Sequence, residues 1–266
     1  MRTFLPLTRK NLSDTWRGLA GWSLALAAAC LLYLPLYPSM GGGSQMQALL
    51  NQMPKELISA IGYDSIGTGA GWTQSTVFGL LGFVLLIIAS VSWGAAAIGG
   101  NEESGALELT LAHAVTRTQV VLEQALAILI KLVVLGLVVT LIVLSLNSPA
   151  ELDLNVGYLV GTVALWLELG LLGASVALLC GAATGRRSVG IAGGAIVMIG
   201  AYILNALGNQ KSDWDWMHNL SPYSWVFTEK PLQDGPNMLI GLALLGIAAL
   251  STAGAAVVLN KRDVGT

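Results

Sequence analysis

Charge is scarce in this chain. Only 11% of its 266 residues are Asp, Glu, Lys or Arg, where a soluble domain of this size carries about a quarter. Cysteine is scarcer still: Cys30 and Cys180 each lie inside an apolar run. Two such residues imply neither a disulfide framework nor a metal site, and they read as small core hydrophobes. The two histidines, His113 and His218, offer no metal cluster and no Ser-His-Asp constellation. A G-x-x-x-x-G-K-[ST] sequence is absent, so the chain cannot bind ATP by a P-loop of its own. With a net charge of −2 and a pI near 5.6, nothing points to nucleic acid as a partner.

Apolar residues fill the space that charge leaves. They make up 55% of the chain, the mean hydropathy is +0.71, and 32 glycines suit helices that pack closely through small residues. The class is integral membrane protein. A span needs roughly 20 apolar residues, and six segments qualify: 18–37, 75–98, 119–146, 157–183, 188–208 and 238–259. The 119–146 segment is long enough to tilt or to project from the bilayer. The N-terminal basic residues and "LAAAC" mimic a signal peptide, but the apolar run continues through Tyr37, too long for one, so a retained first helix is expected.

Orientation follows from Lys and Arg. With the N-terminus inside, the cytoplasmic pieces hold Arg2, Arg9, Lys10, Arg17, Arg117, Arg186, Arg187, Lys261 and Arg262, and the outer pieces only Lys55, Lys211 and Lys230. This bias puts both termini in the cytoplasm. "TRKNLSDTWRG" has Leu12, Trp16 and Leu19 at helical spacing, which suits a short helix in the inner interface. "SQMQALLNQMPKELISAIG" reads as one or two amphipathic outer helices broken near Pro54. The outer loop before the last span concentrates Trp214, Trp216, Tyr223, Trp225 and Phe227, either as an aromatic belt or as a lid over an exit path.

The most polar cytoplasmic piece is "GGNEESGALELTLAHAVTRTQ". It predicts a short helix with Asn101 as N-cap and Glu102 and Glu103 in the first turn, where the helix dipole favours anions. Leu107, Leu109 and Leu111 cannot share one face, so the segment should touch apolar surface on more than one side. An intramembrane protease of the Glu-Glu-x-x-x-Arg type is excluded, because Leu107 stands where the arginine would. Inside the spans, Lys131 and Glu168 both reach ~17–18 Å deep, counted from opposite faces at ~1.5 Å per residue. Each alone would cost at least ~2.5–3.5 kcal/mol, so an ion pair or shared hydrogen bond is expected. A structural pair, a polar spot in a transport path and a proton-carrying pair all remain open. Glu123 is expected to reach the interface, and Asn205 to join helices.

The chain resembles the permease subunits of ABC-2-type ABC transporters, in particular their single-chain six-span group. The family's Glu-Glu-x-Gly-Thr-Leu-(Glu/Asp) and Pro-Val-Ser-Arg elements stand here as Glu102, Glu103, Gly105, Ala106, Leu107 and Glu108, then Ala114, Val115, Thr116 and Arg117. "MPKELISAIG", "GAATGRRSVGIAGGAIVMIGAYILNALG", "LSPYSWVFTEKPLQDG" and the "LNKRDV" ending agree with further family elements in order. Ala106 replaces the family's usual Thr, and Ala114 its usual Pro.

The resemblance implies an all-α, single ABC-2-type transmembrane domain over 1–266, with an N-terminal interfacial helix, a cytoplasmic coupling helix between spans 2 and 3, and short extracellular helices before span 6. It implies that Glu102, Glu103, Gly105, Leu107, Glu108 and Arg117 couple to a separate ATP-binding subunit, present in two copies and holding the ATP and Mg. Trp214, Trp216, Pro222, Tyr223 and Trp225 would cap the exit. It further implies a second permease chain, identical or related, in the cell (inner) membrane, and export of a drug, antibiotic or lipid-like cargo. The chain itself would be no enzyme and carry no cofactor. The competing class is a proton-coupled carrier using Lys131 and Glu168, or a structural membrane subunit.

Overall fold

The computed structural model describes residues 5–41, 52, 66–113 and 115–263. Among these the regular structure is all helical. Six helices are long and apolar enough to cross a membrane. The amphipathic segment expected around Pro54 lies outside the described residues.

The first helix, α1, runs unbroken over Pro6–Tyr33. The stretch expected to form the interfacial helix is helical and runs without a break into the first span, since no proline follows Pro6 before Tyr33, and Trp16 is exposed on its surface. The second span, α2, covers Gly69–Glu103. Its N-terminus is capped by Thr68, whose hydroxyl accepts the Gly71 N–H at 3.0 Å. Two stretches of α2, Gln74–Leu81 and Ala96–Gly100, wind as wider π-helix, a form that recurs at functional positions.

A short helix, α3 (Ala106–Leu111), follows. The third to fifth spans are α4 (Arg117–Asn147), α5 (Val156–Thr184) and α6 (Arg187–Gly208). Two one-turn helices, α7 (Trp216–Asn219) and α8 (Pro222–Phe227), precede the last span, α9 (Met238–Lys261). Local chemistry sets most of the boundaries. Thr116, Asn155, Ser221 and Asn237 each cap the helix that follows by accepting backbone N–H groups, and α5 stops at Gly185 in the left-handed region, φ 69°. The expected limits of the last four spans fall within two residues of these helices.

Helix α5 is the centre of the bundle, with α2, α4, α6 and α9 packed on it and α1 leaning on α4. Glycine makes the closest approach possible. A Cβ on Gly94 of α2 would sit 2.1 Å from the Ala174 carbonyl oxygen of α5. Buried fractions separate inside from outside: 61% of the most apolar stretch is buried in α2 and α5, but only 17% in α1 and 28% in α6 and α9. The exposed leucines and isoleucines of those outer helices, such as Leu31, Ile196, Leu242 and Leu250, are therefore available to lipid or to a neighbouring chain. The starts of α1, α4 and α6 and the end of α9 meet at one end of the bundle, beside α3. The short helices α7 and α8 cover the other end.

Candidate functional site

The acidic segment is organised differently from its sequence expectation. Asn101 is not an N-cap: α2 continues through it, and its side-chain amide donates to the Ala97 carbonyl at 2.8 Å. The break comes at Gly105, φ 72°, a left-handed turn that glycine adopts without steric cost. Glu102 and Glu103 therefore sit in the last turn of α2 rather than the first turn of a new helix. Anions there oppose the helix dipole, at about 0.3–1 kcal/mol each. Both find compensation elsewhere. Glu102 forms an ion pair with Arg262, just past α9. Glu103 accepts the Arg187 backbone N–H at 2.9 Å, at the first turn of α6, which has no side-chain cap of its own.

Arg117 also faces inward. Its Nη1 donates to the Leu259 carbonyl at 2.8 Å and to the Arg262 carbonyl, tying the start of α4 to the end of α9. Asn260 adds a hydrogen bond to the Thr118 hydroxyl at 2.9 Å. On α3, Leu107 is 1% exposed and Leu109 71% exposed, so the leucines face two sides, one packed and one open. Glu108 is exposed beside Leu109. A groove of about 340 Å³ runs between α3 and α1, lined by Pro6, Leu7 and Lys10 on one wall and Leu109, Thr110 and His113 on the other. Of the expected coupling residues, then, Glu102, Glu103, Leu107 and Arg117 hold the segment in place, and Glu108 is left facing out.

Lys131 and Glu168 do not pair. The Lys131 ammonium lies over the Trp93 ring of α2, 5.2 Å from its centroid, and the residue is 2% exposed. Glu168 points instead toward α9, where a Cβ on Gly241 would lie 2.6 Å from its Oε2, and that oxygen has no hydrogen-bond partner among the described residues. Although α4 and α5 are neighbours, the two side chains project toward different third helices. Gly241 belongs to the first turn of α9, so Glu168 lies nearer the end of that helix than counting along α5 alone suggests. The Trp93 aromatic face takes the place beside the Lys131 cation that the Glu168 carboxylate was expected to hold.

At the opposite end, Tyr223 is the buried centre of the cap. Its hydroxyl donates to the Gly79 carbonyl of α2 at 2.9 Å, and its ring packs edge-on against Phe83 and Tyr202 and tilted against Phe227. Burial first, and the neighbouring Tyr202 second, push its pKa upward, so the hydroxyl stays a neutral donor. Pro222 opens α8, the Trp225 ring nitrogen donates to the Asn219 carbonyl at 3.0 Å, and Lys211 lies over the Trp214 ring. Trp216 is 54% exposed, so it belongs to the rim and not to the packed centre. Asn205 joins helices as expected, accepting from the Ser224 hydroxyl at 2.9 Å.

Several contributors went unrecognised in the sequence. Glu123 is buried and receives backbone N–H groups from the first turn of α1. Its signal was a carboxylate in an otherwise apolar span, whose one sequence-local partner, Gln119 at 2.8 Å, leaves the second oxygen free for another helix. Arg262 gave only its place in "LNKRDV", and Trp93 gave nothing to separate it from other apolar positions. A family model described as "ABC-2 family transporter protein" matches residues 5–264. Comparison with curated proteins finds no match.

Proposed function

The chain belongs to the ABC-2 family of transporter proteins and is a multi-pass membrane permease, and on that premise we propose that it is the transmembrane half of an ATP-driven exporter. The α3 end faces the cytoplasm in this reading, supported by the Lys and Arg bias, and both termini lie there. Two ATP-binding subunits, which hold the ATP and Mg, dock below two permease chains, this one and a copy or a relative. The segment from Glu102 to Arg117 carries their movement into the spans.

The observation that carries the docking role is Leu109. It is an apolar side chain, 71% exposed on a six-residue helix outside the spans, at the lip of the groove between α1 and α3. Its neighbours in the segment are held inward by specific bonds, so the segment offers a rigid apolar knob rather than a loose loop. Glu108 and Lys10 flank it with opposite charges and would set the register of the partner. The low charge of the spans suits a hydrophobic or amphipathic cargo such as a drug, antibiotic or lipid. A nucleotide-dependent switch between inward- and outward-facing states does work only if that cargo binds the two states differently. A carrier built on a Lys131–Glu168 pair lacks its premise, because the two side chains face different helices.

The test is isolation of the chain in mild detergent from its own membrane. A P-loop ATPase should accompany the wild type, and Leu109→Asp should reduce its recovery by roughly ten-fold, about 1.4 kcal/mol, with the permease still folded. A wild-type preparation with no ATPase, or one that Leu109→Asp leaves fully loaded, defeats the reading.

A further inference from the structure

Arg262, just past the end of α9, bonds to two other helix ends. Glu102 and Arg262 are 160 positions apart in sequence, yet their side chains pair at only 14% and 23% exposure. Glu102 is the only carboxylate that pairs with Arg262 among the described residues. Among the described residues the buried Arg262 Nε has no hydrogen-bond partner, and the ion pair with Glu102 is what holds the guanidinium. The Arg262 carbonyl is held in turn by Arg117, which also grips Leu259. The last turn of α2, the first turn of α4 and the last turn of α9 are thereby closed into one cluster. Residues 104–116, with Gly105 and α3 among them, lie between the two sequence-adjacent members of it.

We propose that Arg262 is a positioning residue for the docking segment: through Glu102 it makes the end of α9 move with the end of α2 when an ATPase pushes on α3. The proposal rests on the ATPase-docking reading above. Separating the cluster would strand two partly buried charges, and Glu102 would lie uncompensated at the unfavourable end of the α2 dipole. Displacing the three helix ends together costs none of these contacts. Helix α9 has no other ion pair among the described residues by which that motion could reach it. Glu102 thus serves the coupling segment from within and not as part of its docking face.

Hydrogen–deuterium exchange on the purified permease–ATPase complex, with and without ATP plus vanadate, reads this directly. In the wild type, nucleotide should change exchange in 101–113 and in 255–262 together. Arg262→Glu, and the milder Arg262→Gln, should keep the change in 101–113 but shrink the change in 255–262 by roughly ten-fold, the size of an ordinary coupling between sites. The charge-swapped pair Glu102→Arg with Arg262→Glu should restore it. A purely structural role would alter nucleotide-free exchange and leave the nucleotide-dependent difference in 255–262 intact, and that result overturns the proposal. So does a wild type whose change stays confined to 101–113, or a swapped pair that fails to restore the change when Arg262→Gln has lost it. Absence of any ATPase from the wild-type preparation is a different failure, and it strikes the docking reading itself.

Discussion

Glu123 of α4 caps α1: its Oε2 accepts the Leu7 N–H at 2.7 Å and the Thr8 N–H at 3.0 Å, while the Thr8 hydroxyl donates to the Glu123 carbonyl at 3.0 Å. The residue ahead of α1, Leu5, has a left-handed backbone and no side chain able to cap. The first turn of a 28-residue helix would otherwise leave its amide groups bare in a low-dielectric setting. Glu103 does the same for α6. Two spans thus take their N-terminal anion from another span, and the same bonds fix which helices are neighbours at this end of the bundle.

Glu123→Ala should destabilise the protein by about 2–3 kcal/mol, since buried donors lose a charge-assisted acceptor. Glu123→Gln keeps one acceptor oxygen and should cost less. Thermal melting of the purified chain in lipid nanodiscs measures both. An alanine variant that melts with the wild type would show that the bonds carry no stability.

Gly94→Ala should destabilise by at least about 1 kcal/mol, because the added methyl would stand 2.1 Å from a backbone oxygen that cannot rotate away. Gly200→Ala on α6, with nothing within 4 Å of the new carbon, is the matched control. It should be neutral or stabilising by up to about 1 kcal/mol through the propensity difference. If both substitutions behave alike in the same melting assay, close α2–α5 packing is not what the glycine serves.

How much of this was legible in the residues depends on the range of the interaction. Span limits were, because caps such as Thr116, Asn155 and Asn237 act within three residues and leave a local trace. The acidic segment misled because Asn101 and Glu102 look like a helix start, whereas a glycine-rich π-helical stretch carries α2 straight through them. The partner that Glu102 finds at that helix end, Arg262, is 160 positions away. The partners of Lys131 and Glu168 were equally hidden: adjacency of α4 and α5 was predictable, but side-chain direction depends on where α2 and α9 pack.

Because Lys131 and Glu168 contact different helices, their substitutions should be additive. Lys131→Met and Glu168→Gln, singly and together, should show a coupling energy no larger than about 0.5 kcal/mol in a double-mutant cycle. Lys131→Met replaces a buried cation with an apolar chain of similar length and should be neutral or stabilising. A coupling of several kcal/mol would mean that the two charges meet in the membrane after all.

Tyr223 supplies the last expectation. Its hydroxyl ties the packed centre of α8 to the backbone of α2, and the Gly79 carbonyl that receives it lies in the π-helical stretch. Ring packing against Phe83, Tyr202 and Phe227 would survive loss of the oxygen. Tyr223→Phe should therefore cost only about 1 kcal/mol in global melting. Locally the consequence is larger in kind, because α8 would then be held to α2 by non-directional contacts alone. Amide exchange in 221–228 should quicken by roughly five- to ten-fold in Tyr223→Phe, with exchange in the centre of α5 unchanged. Equal acceleration in α5 would show that the hydroxyl supports the whole bundle, and no acceleration in 221–228 would show that the aromatic packing alone keeps the cap closed.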